Sequence, residues 1–145
     1  MTSTIQNPAS TTTVAPAARP TIWKHGIGVA VAAAATTTAL AAAASAAGVS
    51  FADSTGESIP VPGFATVTLF LVAIGVGIAA VMARVARRPR STFIRTAVAL
   101  VALSFVPDAT FGFDVASALT LMTLHVVAAA IVVPVIAGRL VEKRR

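Results

Sequence analysis

Residues 83–95 read ARVARRPRSTFIR, the densest run of charge in a 145-residue chain whose composition is otherwise 57% hydrophobic. Arg84, Arg87, Arg88, Arg90 and Arg95 lie here between two apolar stretches. Short loops rich in Lys and Arg stay on the cytoplasmic side of a membrane, so this segment fixes an orientation. Outward on both sides the signs of charge alternate. Upstream of an uncharged run over 58–83 stand Asp53 and Glu57, and before them an uncharged run over 25–52 preceded by Arg19 and Lys24. Downstream, a short apolar stretch leads to Asp108 and Asp114, then an uncharged run over 115–138, then Arg139, Lys143, Arg144 and Arg145. All eleven basic residues thus fall at one side and four of the five acidic residues at the other. The pattern predicts an all-α integral membrane bundle of four helices, multi-pass in the plasma membrane with both termini cytoplasmic.

Composition agrees independently of charge order. Only 11% of residues are charged and the mean hydropathy is +0.88, too little polar cover for a soluble domain of this length. The net charge of +6 would suit nucleic acid, but the charges sit as stops beside apolar spans and almost no aromatics accompany the basic tail, so nucleic acid is not expected as a partner. Anionic headgroups of the inner leaflet fit better, each nearby Lys or Arg contributing roughly 1 kcal/mol, and Arg84, Arg87, Arg88, Arg90 and Arg95 are the candidate contacts. With no cysteine there is no disulfide, thiolate nucleophile or iron–sulfur cluster.

Residues 1–22, rich in Thr, Ser, Ala and Pro, read as a disordered cytoplasmic tail, and 141–145 as a short basic one. Residues 23–140 form the membrane domain, with Trp23 and Lys24 placed as interfacial anchors. The first span, about 26–51, is small-sided. Gly28, Ala32, Thr36, Ala44 and Gly48 recur on one face, which predicts close approach of a neighbouring helix. The same segment also reads as a signal peptide cleaved near Ala44-Ser45-Ala46, although its apolar run is longer than usual. Gly56, Pro60 and Pro62 break the connector into an outside turn. The second span, about 64–84, has Leu69, Phe70, Leu71, Val72 and Ile74 as lipid-facing bulk and Gly75, Ala79 and Ala83 as a packing stripe. Gly75-Val76-Gly77 lies inside an apolar helix and is no nucleotide fingerprint.

The third span is the shortest. Pro89 breaks the preceding helix, Ser91 is placed to cap the next, and Pro107 ends or kinks it, giving about 92–107 with Arg95 snorkelling to the interface. Asp108 and Asp114 then fall on an outer loop where solvation accounts for them. A re-entrant segment is the alternative, and it would carry the basic C-terminal tail outward against the charge rule. The fourth span, about 115–137, holds His125, the one titratable residue deep in an apolar run, with roughly ten residues or 15 Å of helix on each side. An intramembrane imidazole is a functional-site hypothesis by default and needs a partner. Ser104 of the third span or Thr37 of the first can supply a hydrogen bond. Thr120 and Thr123 can bond their own backbone, and Pro134 frees a carbonyl near residue 130 and allows a bend. No second titratable group at that depth is visible for a proton relay, and one His without neighbouring Cys or carboxylate completes no metal site.

The Pro62-Gly63 opening of the second span, the Arg-rich hairpin, Ser104 and the segment LMTLHVVAAAIVVP over 121–134 together resemble the small four-span membrane proteins common in actinobacteria, a family known by sequence as a domain of unknown function. The resemblance covers about 23–140. It implies a plasma-membrane location and four helices and supplies no reaction, cofactor or substrate. A structural or accessory subunit acting through helix contacts is therefore the first expectation, with a membrane-protein partner or a homo-oligomer. A subunit of an oligomeric transporter or channel using His125 is the second. An enzyme is not expected, since no Ser-His-Asp set, carboxylate pair or phosphate loop is visible.

Overall fold

The computed structural model describes residues 22–140. The tails expected over 1–22 and 141–145 lie outside it, except Ile22, the first residue of α1. Four helices follow in order: α1 (Ile22–Ala46), α2 (Val61–Val85), α3 (Pro89–Thr110) and α4 (Val115–Ala137). Their lengths are 25, 25, 22 and 23 residues. At 1.5 Å per residue even the shortest rises about 33 Å, enough for a hydrocarbon core of roughly 30 Å. All four are apolar enough to cross a membrane.

Helix ends follow local chemistry. α1 stops at Ala46, about five residues before the end of its apolar run, because Gly48 takes a left-handed φ of 96° and the chain turns back with Val49 N–H donating to the Ala44 carbonyl at 3.0 Å. Pro62 stands in the first turn of α2, where a missing N–H is harmless. α3 begins on Pro89 for the same reason, so Ser91 lies inside the helix and does not cap it. Pro107 does not end α3 either. The helix continues to Thr110, with the Phe111 N–H donating to the Pro107 carbonyl at 3.0 Å. A proline this near a C-terminus removes one backbone bond and leaves the last turn intact. The third helix is thus a full-length one and Asp108 is part of it.

α1 packs most extensively on α2 and next on α4, α3 packs on α4 and α2, and α1 and α3 do not touch among the described residues. The apolar core has two parts. At the end where α2 finishes and α3 begins lie Val29, Ala33, Val76, Ala79, Phe93, Val132 and Ile136. At the opposite end lie Ala41, Phe51, Phe64, Leu121 and Leu124. Large apolar side chains such as Leu69, Phe70, Leu71, Val98 and Leu103 cover the outside, as a bilayer solvent requires. Two expectations about faces need correction. The packing face of α1 runs through Gly26, Val29, Ala33, Thr37 and Ala41, not through Gly28 and Ala32, which are exposed; and Val72 is buried against the core, not lipid-facing.

The end carrying Asp53 and Asp114 is closed by a knot of side-chain bonds. Asp114 is the N-cap of α4: its Oδ1 accepts from Ser117 N–H at 3.0 Å and its Oδ2 from the Ser117 hydroxyl at 2.7 Å. Ser50 donates to the same Oδ2 at 3.0 Å. Ser117 Oγ in turn accepts from the backbone N–H of Phe51 at 3.0 Å. Phe51 has a positive φ of 51°, a costly conformation for a bulky residue, held because its ring is enclosed and meets Phe64 edge-on at 5.0 Å. Gly112, at φ 77°, lets 111–114 pass Ser54 so closely that a Cβ there would lie 2.6 Å from the Ser54 Cβ. Asp53 Oδ1 accepts from the Thr55 hydroxyl and N–H at 2.6 and 2.8 Å, which holds its carboxyl below the usual carboxylate range.

Two expected outcomes follow from this packing. Gly26 faces Val76, whose Cγ2 would be 2.9 Å from an added Cβ, whereas Gly28 has nothing within 4 Å; Gly26→Leu is expected to lower stability by about 1–3 kcal/mol and Gly28→Leu to leave it nearly unchanged, read by denaturant unfolding in detergent. The three donated bonds hold the Asp114 carboxyl down from 3.8 to about 2. A depressed carboxylate stabilises the fold above its ordinary value and loses that contribution as pH falls through the depressed one. Thermal unfolding followed by circular dichroism is expected to show Asp114→Ala below wild type at pH 7, with the gap closing between about pH 4 and pH 2.

Candidate functional site

His125 projects from the middle of α4, between the two parts of the core: Leu124 beside it belongs to one and Val132, two turns on, to the other. The Cβ of a helical residue leans toward the N-terminus, which brings the imidazole back over the preceding turn. Its Nδ1 lies 2.9 Å from the Leu121 carbonyl oxygen. A carbonyl only accepts, so Nδ1 carries the hydrogen and donates it, a tautomer assigned from this geometry.

The second neighbour of Nδ1 is a carboxylate. Asp108 Oδ2 is 3.1 Å away, on the last turn of α3. Asp108 is 6% exposed, and its Oδ2 is enclosed without a hydrogen bond. The short distance and the missing bond are compatible, because the single Nδ1–H points along the axis toward Leu121 and the carboxylate stands beside that axis. The contact is a charge–dipole approach, and becomes an ion pair when the ring is protonated. Thr38 Oγ1 on α1 is the other enclosed side-chain atom without a bond among the described residues.

The partners expected for His125 are engaged elsewhere. Ser104 donates to the Val101 carbonyl of its own helix at 2.7 Å. Thr37 donates to its own helix, 3.0 Å from the Ala33 carbonyl, and, its one hydrogen so used, accepts from the Thr68 hydroxyl of α2, also at 3.0 Å. Thr120 and Thr123 bond the Ala116 and Leu119 carbonyls, each at 2.7 Å, as the sequence suggested. Pro134 lies inside α4 and is exposed, about 13 Å of helix rise from His125. The residue that sequence reading missed is Asp108. Ending α3 at Pro107 places Asp108 on a solvated loop, whereas the helix runs on to Thr110. The hint was Gly112, a better stop than Pro107, and a Thr at 110 that can still bond the Val106 carbonyl.

The arginines hold the opposite end. Arg84 is in the last turn of α2, Arg87 and Arg88 in the connection, and Arg90 and Arg95 on α3, all exposed around an enclosed Pro89. Among the described residues no three His, Asp or Glu side chains converge as metal ligands.

A model of a family of unknown function, DUF6069, matches residues 17–142. The chain belongs to this family. The match spans all four helices, so the bundle as a whole is the DUF6069 unit, with Asp108 and His125 inside it. No curated protein and no solved structure matches the chain.

If Asp108 and His125 act on each other, their replacements are not additive. Asp108→Asn, His125→Gln and the double variant are expected to show a coupling of about 1 kcal/mol or more in unfolding free energy. Ser104→Ala, which removes only a bond within one helix, is expected to stay within about 0.5 kcal/mol of wild type.

Proposed function

We propose that this DUF6069 protein is a plasma-membrane protein, with both termini cytoplasmic, that works as a structural or accessory subunit through helix contacts and catalyses no reaction. The observation that carries the reading is α3. It spans the bilayer yet only 11% of its most apolar window is buried within the bundle, with Val98, Leu103 and Val106 more than half exposed. A helix so little used by its own fold is suited to contact a partner. The orientation rests on the charge rule, with Arg84, Arg87, Arg88, Arg90 and Arg95 meeting anionic inner-leaflet headgroups.

A second reading, a subunit of an oligomeric transporter or channel, is favoured by one observation: ionisable residues within spanning helices mark ion and proton paths, and Asp108 stands beside His125. Affinity purification in mild detergent, with mass spectrometry of what is retained and His125→Ala alongside, separates the two. A specific membrane partner is the result expected for an accessory subunit. A clean self-oligomer that passes ions or protons in liposomes would replace it with the transport reading. For orientation, a cysteine placed at Gly56 is expected to react with an impermeant reagent in intact cells, and reaction only after lysis would reverse the topology.

A further inference from the structure

We propose that Asp108 and His125 form a proton-binding site that acts as one unit across the α3–α4 interface. The inference does not depend on which function above is correct. It rests on an enclosed carboxylate oxygen that no donor satisfies, 3.1 Å from an imidazole nitrogen whose ring is 31% exposed.

The charge states follow from the atoms present. With the ring neutral and Asp108 ionised, the pair carries one negative charge in a site with few dipoles to solvate it. One added proton cancels that charge. It forms an N–H bond at Nε2, making an imidazolium beside the carboxylate, or an O–H bond on Oδ2, making a carboxylic acid beside neutral imidazole; in both forms the pair is electrically neutral and no bond within the protein is broken. Release reverses the step. An apolar surrounding favours the neutral pair over either charged alternative, so a proton bound here belongs to the pair and not to one residue alone.

Nδ1 is occupied by the Leu121 carbonyl and the carboxylate, whereas Nε2 has no hydrogen bond among the described residues. Nε2 is therefore the ring atom open to an added proton, and the buried carboxylate supplies the counter-charge. The ionisable groups at the same end are Asp114, six residues on from Asp108, and Asp53 and Glu57 of the α1–α2 connector, whose Ser54 N–H donates to the Phe111 carbonyl. On α3 the other charges are Arg90 and Arg95, the nearer about 20 Å of helix rise from Asp108; α4 has none besides His125, and its cap Asp114 is about 16 Å of rise from His125. The charged or titratable residues of α1 and α2 are Lys24, His25 and Arg84, at the far end.

The test uses the full-length protein in lipid nanodiscs, labelled with ¹⁵N in the imidazole rings and ¹³C at the aspartate carboxyls. There are two histidines and three aspartates to resolve, and His25→Gln identifies the His125 signal. One aspartate signal is expected to change with the same midpoint as His125 as pH is varied; none doing so would overturn the proposal without recourse to any variant at the pair. In Asp108→Asn the His125 midpoint is expected to move by about one pH unit or more, and an unmoved midpoint in a folded variant would also overturn it. Asp108→Glu, which keeps the charge, is expected to retain the shared titration, and separate midpoints there would count against a site that depends on the carboxylate.

Discussion

A bilayer interior offers no water to hydrogen-bond a polar atom, and most of this structure is a response to that constraint. The backbone answers with four uninterrupted helices. Hydroxyls within them turn back on their own carbonyls: Ser104, Thr110, Thr120 and Thr123 all do so. Thr37 adds a bond across to Thr68. Thr38 is enclosed without such a bond, and Asp108 cannot be satisfied this way at all, because a carboxylate has no hydrogen to give a carbonyl; the fold sets it beside the imidazole of His125.

The core is divided by these polar contacts. Thr37 and Thr68 lie between the two apolar clusters on α1 and α2, and His125 lies between them on α4. The Asp114, Ser117, Ser50 and Phe51 knot then ties the end of α1 to the start of α4, adjacent helices in the bundle. α3 enters into none of these bonds. It touches only α4 and α2, and its hold on the rest includes the Asp108 contact. A change in the charge of the pair therefore acts on the least embedded helix of the four.

The four spans were legible because charge order is a global signal that survives uncertainty about any one residue. Helix faces were less so. In α1 nearly every residue is small, so a stripe through Gly28 and a stripe through Gly26 look alike, and only the bulk of Val76 opposite decides between them. The candidate site was half legible. His125 stood out by its depth in an apolar run, but Asp108 was hidden by Pro107, whose usual effect on a helix is weakened one turn from the end. Whether the missing partner lay on a loop or in a span turned on that single residue. The enclosed Phe51, read as the end of a span, had no sequence signal, since its position is set by Ser117 far along the chain.

Continuity of α3 through Pro107 to Thr110 is the point on which the site depends, and a nitroxide scan of residues 99–113 in nanodiscs measures it directly. Oxygen and nickel-complex accessibilities that keep a helical period through Thr110, with the position of Asp108 shielded from both, are the expected result. A loss of that period at Pro107, with water access at positions 108–110, would place Asp108 on a solvated loop and contradict the account.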